Sequence, residues 1–225
     1  MEIVQNLSEM FLNDPNTEIW VAPVFKHIFS SKSDLLDFGT RLEMAKLAFA
    51  GMKNVVVSDI EQNIKEGNPH VMVGTIDILH ALCKKYPELD VRLVLGADTL
   101  NDLLQGKWKN SAAVFTTCTR IYALSRDDVM PNLSPKITHD LSSEARVGLE
   151  EIAAAAQVPG KIEILEFEFS PDARSASSTA VRKDKESRYV TDAVLQYMQE
   201  KGLYGFELPD SSQAAVLRNK NRLSS

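Results

Sequence analysis

A stretch rich in small hydroxyl side chains, residues 170–182, carries the strongest chemical signal in the sequence. Its hydroxyl residues and its final arginine are Ser175, Ser177, Ser178, Thr179 and Arg182. The alternating run 161–169 before it predicts a strand, and a helical pattern begins at Val190. The hydroxyl residues therefore lie between a strand and a helix start. The first backbone N–H groups of a helix lack partners within the helix, and the helix dipole favours an anion there.

Arg182 lies three residues after Thr179, about one helical turn further on. Its guanidinium can therefore reach back toward the same oxygens, and arginine suits bidentate contact with phosphate. The stretch thus predicts a segment that binds phosphate. An ordinary Ser/Thr helix cap followed by an exposed arginine is the alternative that these residues alone leave open.

The composition limits the classes of function. The 225 residues carry a net charge of −6, which argues against broad contact with nucleic acid or an anionic membrane but allows a small anionic substrate held by a few local cations. Apolar runs are too short to span a membrane, and the first residues begin neither a signal nor a transit peptide. Cys83 and Cys118 lack metal-ligand spacing, so we expect no metal-binding side chains and a reduced, cytoplasmic protein.

Apolar patterning predicts strands that alternate with helices. The strands are expected at 19–23, 54–58, 92–96, 121–124 and 161–169, and the helices at 2–13, 41–49, 75–85, 142–156, from Val190, and briefly after Asp98. Residues 111–117 fit either type. The alternation favours the α/β class with a doubly wound parallel sheet, whose strands 19–23 and 54–58 are covered on both faces. We expect one domain, 1–208, and a disordered tail, 209–225.

In a doubly wound sheet, ligands bind beyond the carboxyl ends of the strands. Three chemically interesting stretches follow predicted strands: 23–27, 96–98 and 170–182. Their common position favours a binding role for them over simple capping.

Taken in order, five segments resemble the nicotinate/nicotinamide mononucleotide adenylyltransferases of the nucleotidyltransferase superfamily. They are Ile19 to Pro23 with Phe25-Lys26-His27, then Arg41-Leu42-Glu43-Met44, then Gly74-Thr75-Ile76-Asp77-Ile78-Leu79 (the family's Y-T-I-D-T-L), then Leu95-Gly96-Ala97-Asp98-Thr99-Leu100 with Trp108 downstream, and Ser177-Ser178-Thr179-Ala180-Val181-Arg182 (the family's S-S-T-x-I-R). The last motif occurs throughout the superfamily, so the ordered set carries the resemblance. It implies a Rossmann-like nucleotidyltransferase fold.

The resemblance also implies roles in binding ATP. The ATP phosphates would be held by Ser177, Ser178, Thr179 and Arg182, and the adenosine ribose by Gly96 and Asp98. For Asp98 the alternative is a helix N-cap.

For the pyridine mononucleotide, the resemblance implies contact with Thr75 and Trp108, the tryptophan stacking on the ring. Lys26 and His27 would join Arg182 as the catalytic residues near the phosphates. A partly buried surface tryptophan and a plain loop histidine remain the alternatives for Trp108 and His27.

The implied reaction is transfer of AMP from ATP to nicotinate or nicotinamide mononucleotide, with Mg²⁺ bridging the phosphates. Two alternatives are a nucleotide-binding relative without catalysis and a nucleotidyltransferase for another phosphorylated acceptor.

One family motif, G-x-F-x-P-x-H-x-G-H, does not occur in the sequence. None of the four histidines, His27, His70, His80 and His139, lies in an H-x-G-H pattern. The family places this motif just before its first helix, next to the first strand of the sheet. We therefore expect a sheet without that first strand. Either Met1 is an internal methionine of a longer protein, or the chain is a truncation that folds poorly or binds nucleotides without catalysis.

Overall fold

The structure, a computed structural model, describes residues 1–26, 35–125, 143–172, 181–182 and 185–207. Helices and strands alternate along these ranges. In order they are α1 (Glu2–Met10), β1 (Ile19–Val21), α2 (Phe38–Phe49), β2 (Val55–Val57), α3 (Ile60–Gly67), α4 (Thr75–Lys85), β3 (Arg92–Gly96), α5 (Ala97–Leu104), α6 (Ser111–Thr117), β4 (Arg120–Ser125), α7 (Ser143–Ala156), β5 (Ile162–Glu166) and α8 (Asp192–Glu200). Single 3₁₀ turns cover Ser187–Tyr189 and Leu203–Gly205.

Three of the strands form a parallel sheet in the order β3-β4-β5. Gly96 of β3 is opposite Leu124 of β4, and Leu124 is opposite Leu165 of β5, so the carboxyl ends of the strands share one edge. The central strand is buried, since Ile121 and Ala123 are both 0% exposed. Strands buried on both faces are typical of parallel sheets, and the predicted α/β class with parallel strands is confirmed.

The other two strands, β1 and β2, pair with each other. The N–H of Ile19 donates to the carbonyl of Asn54 at 2.8 Å, and the N–H of Ser58 donates to the carbonyl of Val21 at 2.9 Å. The prediction that both strands are covered on both faces is wrong for β1, because Trp20 keeps 38% of its surface exposed. A two-stranded sheet has fewer neighbours to cover it than the central strand of a larger one.

The chain divides into two compact units. The first comprises Met1–Ile19, Gly39–Val55 and Phe169–Ser225, and the second comprises Trp20–Phe38 and Val56–Glu168. The core of the second unit is formed by Ile76, Leu79, Leu95, Leu100, Leu103, Leu104, Val114, Phe115, Cys118, Ile121, Ala123, Leu149 and Ile152. A smaller cluster in the first unit consists of Val194, Met198 and Phe206, with Met44, Leu47 and Val181 packed against it.

Most predicted elements are confirmed, with differences at their ends. α4 and β3 match the predicted ranges 75–85 and 92–96, whereas α2 begins three residues early and β5 ends three residues short. The ambiguous stretch 111–117 is helical. α3 was not predicted, because its mostly polar sequence Ile-Glu-Gln-Asn-Ile-Lys-Glu-Gly has only two apolar positions.

Two further predictions concern compartment and membrane contact. Cys83 and Cys118 are both free thiols. Within the described ranges, every helix is too short or too polar to cross a bilayer. The predicted tail, 209–225, lies outside the described residues.

We predict that Leu103→Ala lowers the free energy of unfolding by about 2–5 kcal/mol, because it removes packing contacts and leaves a cavity. Leu103 is 0% exposed in the core of the second unit. Leu89→Ala is the matched control, since Leu89 is 45% exposed, and it should change stability by less than about 0.5 kcal/mol. Urea denaturation followed by circular dichroism measures both. Equal losses in the two variants would contradict the position of this core.

Candidate functional site

At the carboxyl edge of the three-stranded sheet, the main chain at Gly96 is half-buried. This residue ends β3 and is the N-cap of α5, with extended backbone angles of −69° and 156°. A Cβ built on Gly96 would have no described heavy atom within 4 Å beyond its own chain neighbours. The helix that follows, α5, packs into the core of the second unit through Leu100, Leu103 and Leu104, which are fully buried. The geometry leaves room for a ligand to approach the main chain at Gly96.

Asp98 lies at the second position of α5 and is exposed. The alternative that Asp98 is the N-cap of this helix is wrong, because α5 begins immediately after β3 and Gly96 occupies the capping position. A carboxylate in the first turn of a helix is favoured by the helix dipole. Its two oxygens can also accept hydrogen bonds from vicinal hydroxyl groups, such as those of a ribose.

Thr75 is the first residue of α4, and Gly74 is its N-cap. The helix starts there because Asp77, three residues after the cap, accepts a hydrogen bond from the N–H of Gly74 at 2.7 Å. This contact is one half of a capping box. Thr75 is half-buried, so its side chain remains reachable from solvent.

The carboxylate of Asp77 also binds Lys109. The Lys109 ammonium lies 2.7 and 3.0 Å from the two carboxylate oxygens, and 3.0 Å from the carbonyl oxygen of Met72. Burial by itself would raise the pKa of Asp77. The hydrogen bonds from Lys109 and Gly74 and the charge of Lys109 outweigh burial, so this pKa lies below its ordinary value. Asp77 is therefore held as a carboxylate.

Trp108 lies in the loop between α5 and α6, next to Lys109. It is half-buried and packs against the core of the second unit. The main-chain N–H of Trp108 donates to the Ser111 hydroxyl at 2.9 Å, and that hydroxyl donates back to the main-chain carbonyl of Trp108 at 3.1 Å. The contacts of Lys109 bring this loop to the start of α4. The structure thus brings together the two segments that carry Thr75 and Trp108.

The remaining predicted residues of the second unit lie after β1. Lys26 is exposed in the bend that follows this strand. Phe25, beside it, packs edge-on against Phe38 with ring centroids 5.1 Å apart. His27 lies outside the described residues, as do Ser177, Ser178 and Thr179 of the first unit.

Arg182 is half-buried in the first unit, and the preceding residue, Val181, packs against its apolar cluster. The charge of Arg182 acts on the phenol of Tyr204, and so does the charge of Arg41. Burial raises the pKa of Tyr204 above its ordinary value, while the two arginines oppose that increase. The charges of Arg41 and Arg182 therefore both act on one tyrosine hydroxyl.

Another cation of the first unit, Lys185, lies beside Gly205. The ammonium of Lys185 would lie 3.2 Å from a Cβ built on Gly205, the neighbour of Tyr204. No role in the site was predicted for Arg41, Lys185 or Tyr204. Arg41 opens one of the matched motifs, so a signal for this residue was present. Lys185 carried no such signal.

A cleft of about 210 Å³ lies at the opposite, amino-terminal edge of the three-stranded sheet. The charged side chains that line this cleft already bind partners in or beside it. Arg92 pairs with Asp90 at 2.7 Å, and Arg120 pairs with Glu163 at 2.5 Å. Lys161 donates to the main-chain carbonyl of Cys118. We interpret this cleft as a structural ion-pair region, since a ligand would have to compete with these partners.

We predict that Arg182→Gln raises the pKa of Tyr204 further, because less positive charge then opposes the effect of burial. Arg41→Gln should act in the same direction. Arg188→Gln is the control, since its guanidinium lies over the ring of Tyr189, 4.8 Å from the centroid, and pairs with Asp172 and Glu186. NMR titration of the tyrosine ring carbons, assigned with Tyr204→Phe, measures the shift. An unchanged Tyr204 pKa in Arg182→Gln would refute the action of the Arg182 charge on this phenol.

The chain is similar to curated bacterial proteins over most of its length. A "Probable nicotinate-nucleotide adenylyltransferase" of Anaeromyxobacter sp. (strain K) is 30% identical over 194 residues, which cover 84% of this chain and 81% of that relative. The protein of the same name from Geobacter sp. (strain M21) is 28% identical over 175 residues, or 75% of this chain and 76% of the relative. The one from Citrifermentans bemidjiense is 36% identical over 86 residues, but these cover only 37% of it.

Solved structures give the same fold. The Plasmodium falciparum nicotinic acid mononucleotide adenylyltransferase complexed with NaAD superposes with a TM-score of 0.61 at 18% identity, over 91% of each chain. The same enzyme complexed with APC gives a TM-score of 0.59 at 17% identity. These likenesses confirm the predicted Rossmann-like nucleotidyltransferase fold. No family model matches the sequence. With 30% identity to a relative of which it covers 81%, the chain belongs to the nicotinate-nucleotide adenylyltransferase family.

Proposed function

We propose that the protein transfers AMP from ATP to a pyridine mononucleotide and forms the dinucleotide and pyrophosphate. The observation that carries the proposal is the similarity to nicotinate-nucleotide adenylyltransferases over more than three quarters of both chains. Their name favours nicotinate mononucleotide over the amide as the acceptor. We assign the activity to residues 1–208.

The edge at Gly96 suits the adenosine ribose. Open space above Gly96 admits the sugar to the main chain, and exposed Asp98 can accept from its two hydroxyls. Asp98 lies in the first turn of α5 with its side chain exposed, so its carboxylate is reachable from solvent. Gly96 and Asp98 are thus our proposed ribose-binding residues.

The pair of segments at Thr75 and Trp108 suits the mononucleotide. A half-buried indole offers a flat apolar face for a pyridine ring. The Thr75 hydroxyl lies at the start of α4, where unpaired backbone N–H groups favour anionic groups such as a carboxylate or phosphate.

The cations Arg41, Arg182 and Lys185 support phosphate binding in the first unit. Arg182 is the proposed phosphate clamp, and Arg41, whose charge acts on the same phenol, is proposed as a second guanidinium for phosphate. Lys26 remains a proposed catalytic residue with Arg182. The roles of His27, Ser177, Ser178 and Thr179 rest on the resemblance of their motifs.

The chemistry is an in-line displacement. A phosphate oxygen of the mononucleotide bonds to the α-phosphorus of ATP, the bond from that phosphorus to the β-phosphate oxygen breaks, and pyrophosphate leaves. The protein aligns the two phosphates and stabilises the charge that develops on the departing group. The described residues contain no cluster of three side chains suited to hold a metal, so we propose that Mg²⁺ enters with ATP, held by phosphate oxygens.

A second candidate function is nucleotide binding without catalysis. It is favoured by one observation, that none of the four histidines in the sequence lies in an H-x-G-H pattern. Loss of one preorganised donor typically costs about 100- to 1,000-fold in rate. The free thiols Cys83 and Cys118 support our proposal of a reducing, cytoplasmic location for either function.

We predict that the folded chain releases pyrophosphate from ATP and Mg²⁺ with nicotinate mononucleotide, and that Arg182→Ala lowers kcat/KM by about 100-fold, because a charged contact to the phosphates is lost. Arg120→Ala is the matched control. It removes an arginine at the amino-terminal edge of the three-stranded sheet and should leave kcat/KM within about twofold, after thermal unfolding confirms that each variant folds.

The outcomes separate the candidates. Release with a different phosphorylated acceptor from a panel would assign another nucleotidyltransferase. Tight ATP binding by calorimetry without release would establish the binding function. Equal losses in the Arg182 and Arg120 variants would remove our phosphate assignment.

A further inference from the structure

The contact between Lys109 and Asp77 joins two segments that are 32 residues apart in the sequence. Lys109 belongs to the loop of Trp108, and Asp77 belongs to the first turn of α4, two residues after Thr75. The Lys109 ammonium binds both carboxylate oxygens of Asp77 and also the carbonyl oxygen of Met72, just before the helix. One side chain thus makes three polar contacts to the segment that carries Thr75.

The stem of Lys109 adds an apolar contact. A Cβ built on Gly74 would lie 3.4 Å from both Cβ and Cδ of Lys109, so the stem passes directly over the main chain of the helix cap. A second lysine also binds this loop: Lys65 donates to the carbonyls of Pro69 and Val71 at 2.6 and 2.7 Å. The loop before Thr75 is therefore held at three main-chain carbonyls, those of Pro69, Val71 and Met72.

We propose that Lys109 and Asp77 are a positioning pair that fixes Trp108 against the start of α4, so that the binding site for the pyridine mononucleotide is assembled before the substrate arrives. The identity of that substrate rests on the proposed function. The pair touches no substrate itself and acts through Trp108 and Thr75.

The burial of the pair fits positioning better than global stabilisation. The side chains of Lys109 and Asp77 are 45% and 21% exposed, and ion pairs in this range contribute little to unfolding stability. A local constraint can still decide how often a binding loop is in its competent position. The apparent affinity for a ligand falls in proportion to the population of that position.

Three variants separate the functions of the pair. Lys109→Met keeps the stem over Gly74 but removes the charge. Asp77→Asn keeps an oxygen for the Gly74 N–H and weakens the ion pair. Lys109→Arg restores the charge and should rescue. Lys107→Met is the matched control, because Lys107 lies in the same loop and forms an ion pair of the same length, 2.7 Å, but with Asp102 of the adjoining helix.

We predict that Lys109→Met and Asp77→Asn each raise KM for the mononucleotide roughly tenfold, while KM for ATP and kcat change less than about twofold. The double variant should be no worse than the single ones, since both remove the same contact. Steady-state pyrophosphate release measures these constants. Lys109→Arg should return KM to within about threefold of wild type, and Lys107→Met should not change it.

A readout without substrate makes the test independent of the proposed function. The chain has two tryptophans, so Trp20→Phe leaves Trp108 as the only indole. In that background Lys109→Met should increase quenching of Trp108 by acrylamide, whereas Lys107→Met should not. Equal quenching in the two variants would overturn the positioning pair. An inactive wild type that also fails to bind mononucleotide would refute the proposed function alone. An equal rise of both KM values would overturn the proposal for an active enzyme.

Discussion

The burial of β4 is the constraint on which the rest of the second unit depends. Its backbone N–H and C=O groups lie away from water, so they must be paired with the neighbouring strands. Parallel pairing on both sides then fixes the register of β3 and β5. This register brings Gly96 level with Leu124 and Leu165 at the carboxyl edge, and the chain can leave β3 only there. The position of Gly96 at this edge is thus a consequence of the packing of a different strand.

The charged side chains at the two edges of this sheet differ in how they are paired. At the amino edge, Arg92 and Arg120 are each matched by a carboxylate within 2.7 Å. At the carboxyl edge, Asp98 is exposed, Gly96 has no side chain to cap α5, and the described residues leave the space above Gly96 open. A satisfied ion pair resists a competing ligand, whereas an unsatisfied helix start attracts one. The difference between the edges supports our proposal that the carboxyl edge binds the ligand, although the cleft lies at the amino edge.

The parts of the fold that could be predicted from sequence are those fixed by local patterns. The range of α4 follows from the N-cap Gly74, from the carboxylate of Asp77 three residues after that glycine, and from the apolar spacing. All of these lie within one segment. The extent of β3 follows from its apolar run and from Gly96. By contrast, α3 has only two apolar positions in a mostly polar sequence, and the exposure of Trp20 depends on how many strands surround β1. Such properties are set by contacts that a single segment does not contain.

The candidate site shows the same division more sharply. Gly96, Asp98 and Thr75 could be found because each sits at a helix start that its own motif predicts. The partnership of Lys109 with Asp77 could not, since its members lie 32 residues apart and each alone reads as a solvated charge. Arg41 and Arg182 are likewise far apart in the sequence, and only the structure shows that the charges of both act on the phenol of Tyr204. Sequence motifs therefore predict which side chains can contact a substrate, while the long-range charged contacts that hold those side chains in place emerge only from the fold. An adenylyl transfer that depends on alignment of two phosphates needs both kinds of residue, because a contact group that is present but misplaced by about 1 Å can cost as much rate as one that is missing.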